Sequence, residues 1–403
     1  MASVTDPQGG GFRPAMLLND KRYRGLTFQF IALVLIIVLM AFLGINLVRN
    51  LAAAGLDISY SFLGDPANYD INQSLIEYSS RSTHMRAAVV GLLNTLLVSI
   101  MACVTATVIG VIAGVLRLSK NWLVRKLMSA YVEAFRNVPV LIWILMIGTV
   151  VQQLPAPSAF RGDDPDSTMW FGMIAATNRG IYVPAPVWGP GSLVVIAVFL
   201  ISIVGVVLYR RHAVSRLYSD GTLLPTFWPS LGILVLPTLI AYFAMGQPVS
   251  LDIPELQGFN FGGGLQVQRP LIALWLALSV YTGAFIAENV RAGILSVSHG
   301  QSEAAASLGL RPRRVMSLVV LPQALRVIVP PLISQYLNIT KNSSLAIAVG
   351  YADITATLGG ITLNQTGRAI ETILLLMLFY LIVSLSISAV MNLYNASVAL
   401  KER

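Results

Sequence analysis

Eight apolar stretches run through this chain: 26–48, 87–116, 138–154, 192–209, 227–244, 271–294, 318–349 and 370–393. Each is near or above the roughly 17–25 residues a helix needs to cross the hydrocarbon core of a bilayer. In lipid the backbone has no water to bond, so such segments must form helices. An all-α, polytopic membrane protein with about eight spans is therefore expected. Composition agrees: 56% of the 403 residues are hydrophobic and 11% charged, against about 45–50% and 25% in soluble domains. That balance excludes both an ordinary soluble fold and a disordered chain. The first apolar run is too long for a signal-peptide core and is read as an uncleaved span.

Charge sets the direction. With the N-terminus inside, the inner segments hold sixteen Lys and Arg and the outer segments seven. The inner set is Arg13, Lys21, Arg22, Arg24, Arg117, Lys120, Arg125, Lys126, Arg210, Arg211, Arg216, Arg311, Arg313, Arg314, Lys401 and Arg403. This bias favours both termini in the cytoplasm. The net charge of +9 then reflects loops that face anionic lipid, not nucleic acid. Two outer segments are long, 49–84 and 155–191. Each reads either as a docking surface or as a plain connector. The second carries the acidic run Asp163-Asp164-Pro165-Asp166.

Several chemistries are missing from the sequence. It has no G-x-x-x-x-G-K-[ST] phosphate loop and no G-x-S-x-G nucleophile elbow. His84, His212 and His299 lie in separate segments without a His or Cys at ligand spacing, so no metal site and no catalytic residue is expected. The single cysteine, Cys103, reads as a small buried hydrophobe. Gly110 and Gly114 form a small-x-x-x-small motif, read as packing within the chain rather than a dimer seam.

One inner loop carries the functional argument. Ser302-Glu303-Ala304-Ala305-Ala306-Ser307-Leu308 reads as a short alanine-rich helix stopped by Gly309, with Arg311, Arg313 and Arg314 behind it. Its small face suits a groove on another protein, or else lies flat on the membrane. Glu303-Ala304-Ala305, Gly309, Val319 and Leu321-Pro322 together resemble the E-A-A loop of ABC-importer membrane subunits. Valine at 319 replaces the usual isoleucine. The flanks resemble the polar-amino-acid (histidine/glutamine) permease branch. They include Leu92-Leu93-Asn94-Thr95-Leu96, Glu133-Ala134-Phe135-Arg136-Asn137-Val138-Pro139, Leu321-Pro322-Gln323-Ala324-Leu325-Arg326 and Lys341-Asn342-Ser343-Ser344-Leu345. Asn342 stands where that branch often has aspartate. The extra N-terminal span and an insertion at about 155–270 resemble the larger permease of general L-amino-acid importers.

The resemblance implies a type I importer core over 86–393. Residues 1–85 precede it as a cytoplasmic N-terminus, an extra span and a periplasmic segment, and a cytoplasmic tail, 394–403, follows. It implies a non-enzymatic permease subunit in a bacterial inner membrane, forming an amino-acid path. No cofactor is expected on this chain; ATP and Mg would sit on a separate ATPase dimer. Other implied partners are a second permease, expected to be a paralogue, a periplasmic amino-acid-binding protein, L-amino acids and membrane lipid. Coupling residues would be Glu303, Ala304, Ala305 and Gly309. Candidate path residues are Glu288 and Arg291, three apart on one helical face, and Asn338, Lys341, Asn342 and Ser343. These last follow Pro330-Pro331, where a broken helix is expected to free backbone groups. Glu288 is expected to meet the substrate ammonium, or else to pair with Arg291 or Lys341. The alternative class is an ion-coupled secondary transporter, which has no reason to display an E-A-A loop.

Overall fold

The computed structural model describes residues 21–55, 57–162, 166–222 and 224–398. Arg13, Lys401, Arg403, Asp163 and Asp164 lie outside them. The chain divides into two units, 1–63 and 64–403. The first contains α1 (Lys21–Ala53), about 50 Å long at 1.5 Å per residue. Its apolar side chains, Phe30 and Leu35 among them, are exposed, as suits a helix solvated by lipid.

The second unit is a helical bundle. Its long members are α2 (His84–Leu116), α3 (Trp122–Asn137), α4 (Val140–Gln152), α5 (Ser192–Asp220), α6 (Phe227–Ala244) and α7 (Arg269–Leu295). A short helix, α8 (His299–Ser307), follows, then α9 (Leu321–Asn342) and α10 (Ala369–Val398). Among the described residues, seven helices are long and apolar enough to span a bilayer, or eight if α3 and α4 count as one bent span.

The core lies on α7, which packs against α2, α4 and α9. Leu274, Leu278 and Ile286 of α7 are fully buried with Val98 and Ala102 of α2, Ile144 of α4 and Ile339 of α9. Glycine makes this contact close. A Cβ on Gly110 would stand 2.5 Å from that of Ile286, and one on Gly114 would stand 2.7 Å from the Ala287 carbonyl oxygen. The small-x-x-x-small motif is thus an internal seam.

Two expected spans differ from expectation. The third, 138–154, is a 13-residue helix set at 108° to the amphipathic α3. The bend falls at Val138-Pro139: a residue before proline is pushed out of the helical region, and Val138 is extended. The seventh is not broken at Pro330-Pro331. Both prolines lie on the exposed side of a continuous α9. Ile328 and Val329 beside them are buried and hold the helix in place. The irregular backbone falls at its ends instead, as a π-helical turn over Met316–Val320 and a 3-10 turn over Ser343–Val349.

The insertion contains strands as well as helices. β1 (Ala175–Thr177), β2 (Gly180–Val183) and β7 (Leu265–Gln268) form one antiparallel sheet in the order β1-β2-β7. β3 (Ala185–Trp188) pairs with β4 (Val249–Asp252), and β5 (Glu255–Gln257) with β6 (Asn260–Gly262). Tyr182, Ala175 and Phe261 form a small core between them. The β3–β4 ribbon leads directly into and out of the paired helices α5 and α6. α5 runs on to Asp220, eleven residues past the expected end of its apolar stretch.

The close seam gives a direct test. Gly114→Ala should lower the thermal stability of the purified protein, because the new methyl meets a backbone oxygen; overpacking of this kind costs about 1–3 kcal/mol. Gly44→Ala, with nothing within 4 Å of the added methyl, should leave it unchanged.

Candidate functional site

The bundle has two different ends. One carries α8. The other carries the β-strands, the segment 64–83 and the start of α7.

At the first end, alanines give α8 its helical propensity. The helix begins at His299, three residues earlier than expected, and stops because Gly309 adopts a left-handed φ of +79°. The stop has Schellman geometry: the Gly309 N–H donates to the Ala306 carbonyl at 2.9 Å, and the Leu310 N–H to the Ala305 carbonyl at 3.3 Å. Ala305 is buried and packs with Val315 and Val320, with Ile294, Val297 and Leu310 around them. The expectation that Ala304 and Ala305 both allow a partner to approach therefore divides. Ala305 seats the helix on its own chain; Ala304 is exposed. Glu303 is exposed as well, 3.1 Å from His299 Nδ1 through its Oε1. Leu308 is 82% exposed, an apolar residue that sequence reasoning passed over as the end of the helix. Its signal was its place, one residue before the glycine stop. Glu303, Ala304, Ser307 and Leu308 thus form an outward ridge on a rigid base.

Above this end stands a cluster of charges. Arg117, which caps α2, donates through Nη1 to Glu288 Oε2, and Arg291 donates through Nη1 to Glu288 Oε1 at 3.1 Å. Arg136, at the end of α3, comes within 3.7 Å of the same carboxylate and lies over the Phe285 ring. The i,i+3 pair read from sequence is present, and two more guanidiniums join it from other helices. Lys341 is not among the partners. The Arg117 side chain is 9% exposed, and its Nε has no hydrogen-bond partner among the described residues. Three cations thus surround one carboxylate. They form a clasp that ties α2 and α3 to α7.

The remaining path candidates lie elsewhere. Glu288 is nineteen residues down α7 and Lys341 twenty residues along the antiparallel α9, each about 30 Å from its helix start. The structure therefore does not bring the two groups together. Asn338 and Lys341 are exposed and Asn342 is half-buried. Ser343 is fully buried, and its hydroxyl donates to the Thr340 carbonyl at 2.7 Å. Among the described residues no group of three or more His, Cys, Asp or Glu side chains could hold a metal ion.

Among the described residues, seven or eight helices long and apolar enough to cross a membrane, and a rigidly seated helix presenting a ridge at one end of the bundle, define a polytopic membrane protein. Comparison with known proteins gives the particular family. The profile described as binding-protein-dependent transport system inner membrane component matches residues 198–400. The chain is 50% identical to the glutamate/glutamine/aspartate/asparagine transport system permease protein BztB of Rhodobacter capsulatus, over 100% of both chains. It is 45% identical to the putative amino-acid ABC transporter permease protein YhdX of Escherichia coli, over 94% of this chain and 95% of that one. It is 43% identical to the general L-amino acid transport system permease protein AapQ of Rhizobium johnstonii, over 98% and 96%. The chain belongs to the binding-protein-dependent transport system inner membrane components, the permease subunits of ABC importers, which are not themselves enzymes.

The clasp yields an expectation. Glu288→Gln leaves three guanidiniums facing a neutral amide, so the purified protein should melt several degrees lower, since removing one partner of a largely desolvated pair leaves the others uncompensated. Uptake per assembled complex should stay near wild type. A large fall in uptake per complex at unchanged stability would instead put Glu288 in the path.

Proposed function

We propose that this chain is one permease subunit of an ATP-driven importer of L-amino acids. It forms part of the translocation path and receives mechanical work through α8. The observation that carries the reading is α8 itself: an exposed ridge of Glu303, Ala304, Ser307 and Leu308 on a base fixed by Ala305, Val315 and Val320. The full-length relatives, permeases of amino-acid transport systems by name, supply the cargo class.

The proposed coupling follows from the packing. A separate ATPase dimer, holding ATP and Mg, grips the ridge. Because the base of α8 is packed on the turn that leads into α9, a displacement of α8 moves α9. Gly293 of α7 lies against Ile328 of α9, where an added Cβ would stand 2.3 Å from Cγ1, so α7 moves with it. Gly309 acts as a rigid stop that keeps the ridge at a fixed angle. The α8 end and both termini face the cytoplasm, in a bacterial inner membrane. The β-strand end faces outward, toward a binding protein. A second permease, a paralogue of this one, completes the path.

Two measurements test this. Glu303→Lys and Leu308→Arg should each abolish uptake and leave membrane insertion and thermal stability intact, because both residues are exposed; normal uptake by both would end the coupling role. For orientation, cysteines placed at Asp166 and Ser307 in a Cys103→Ser background should be labelled from opposite sides. An impermeant thiol reagent outside intact cells should react with the first and not the second.

A further inference from the structure

Three adjoining hollows lie at the β-strand end, with volumes of 410, 390 and 270 Å³. The first two share Asn72, Gln268 and Pro270, and the last two share Arg269 and Pro270. They lie side by side, as a basin of adjoining hollows, where the start of α7 meets the turn after β1 and the segment 64–83. The largest alone is of the size that holds a small molecule, about 300–1,000 Å³.

The wall of the basin is built, not accidental. β2 and β7 pair with Gly180 opposite Gln268, which sets Arg179 beside the basin. The Gln268 N–H donates to Gln73 Oε1 at 3.4 Å, joining the inserted strands to the segment before α2. Asn94, fully buried in α2, donates through Nδ2 to the Gln73 carbonyl at 2.7 Å and to the Ala352 carbonyl at 2.9 Å. These bonds fix the position of the amide-bearing rim.

Charge then decides what the basin takes. Asp70 lines the first hollow; Arg179 and Arg269 line the hollow next to it. Among the described residues none of the three has an ion-pair partner. Arg179 makes one side-chain hydrogen bond, through Nη1 to the Phe259 carbonyl at 3.3 Å, which leaves most of its fork free. Arg269 is half-buried, and a half-buried guanidinium without a counter-ion is costly. A guanidinium accepts a carboxylate in a two-pronged bond. An ammonium needs a carboxylate and carbonyl oxygens, which Asp70 and the amides of Asn72 and Gln73 offer.

We propose that this basin is an entry site for L-amino acids of net charge −1 or 0. Arg179 and Arg269 receive carboxylates, Asp70 receives the α-ammonium, and the amides of Asn72, Gln73 and Gln268 line the space between. Two cations against one anion leave a local charge of +1, which suits a substrate of net charge −1 or 0 and repels one of net charge +1. The inference rests on the reading of the chain as an amino-acid importer subunit. It also gives the inserted β-strands a role, since they carry one of the two cations.

The test uses the complete importer, with its ATPase, second permease and binding protein, in proteoliposomes. Glutamate, glutamine and lysine are the probes. Arg269→Gln should raise the KM for glutamate roughly tenfold, the cost of one lost charged contact, and that for glutamine by less. Arg269→Lys should recover part of the loss. Asp70→Asn should raise KM for both glutamate and glutamine. The exposed Arg179→Gln, where folding is not at risk, should lower the ratio of glutamate to glutamine uptake in the same sense. Stimulation of ATP hydrolysis by the binding protein should be unchanged in all four, which separates entry from docking and coupling. A glutamate-to-glutamine ratio equal to wild type in both arginine-to-glutamine variants overturns the entry site. So does lysine uptake by the wild type that matches glutamate. If the wild-type complex carries no amino acid at all, it is the importer reading that fails instead.

Discussion

At Gly110 and Gly114 the backbone of α2 lies so close to α7 that any side chain would strike Ile286 or the Ala287 carbonyl. Helices in lipid gain little from hiding apolar surface, since the tails around them are equally apolar; close contact between small residues does the holding. The core helices of the second unit are placed from this seam. α4 and α9 pack on the same α7, and α3 is attached to it by the Tyr131 hydroxyl, which donates to the Val280 carbonyl at 2.6 Å. α8 follows α7 after three residues. The strands of the insertion end where α7 begins. α7 thus runs from the basin at one end to the exposed α8 ridge at the other.

The clasp around Glu288 belongs to the same scheme. α2 and α3 end beside α7, and their terminal arginines turn inward to one carboxylate. Charged groups at such depth are costly unless paired, and here three helices share that pairing. A carboxylate so engaged fixes helix ends relative to one another. Among the described residues, charges without an ion-pair partner occur at the opposite end, where Asp70, Arg179 and Arg269 line the hollows.

A buried carboxylate on the basin side shows how tightly that end is packed. Asp353 is fully buried beside Tyr351. It accepts from the Ala356 N–H at 2.8 Å, and burial pushes its pKa from the ordinary 3.8 up to about 6. The raised value means that stability is greatest below the ordinary pKa and declines as the pH rises toward 6. The 3-10 turn over Ser343–Val349 before it and a π-helical turn over Thr355–Thr362 after it supply irregular backbone here, whereas a proline break was expected in span seven.

The sequence by itself determined the class of fold, because apolar runs of span length leave the backbone no option but helices. It also determined the short helix α8 and its stop at Gly309, since alanine propensity and a helix-ending glycine act within a few residues. The family was legible for the same reason: the Glu303-Ala304-Ala305, Gly309 and Leu321-Pro322 pattern is local. What only the tertiary structure decided depends on residues distant in the chain. Arg117 and Arg136 reach Glu288 from 171 and 152 positions away, and no spacing rule links them. Lys341 and Glu288 looked like partners on charge alone, but α7 and α9 run antiparallel and set them at opposite ends. Pro330-Pro331 read as a break because the sequence does not show that both rings face away from the core. The inserted strands escaped notice because each is only three or four residues long. Such short strands are held by cross-strand pairing and a shared aromatic core, not by any periodicity of their own.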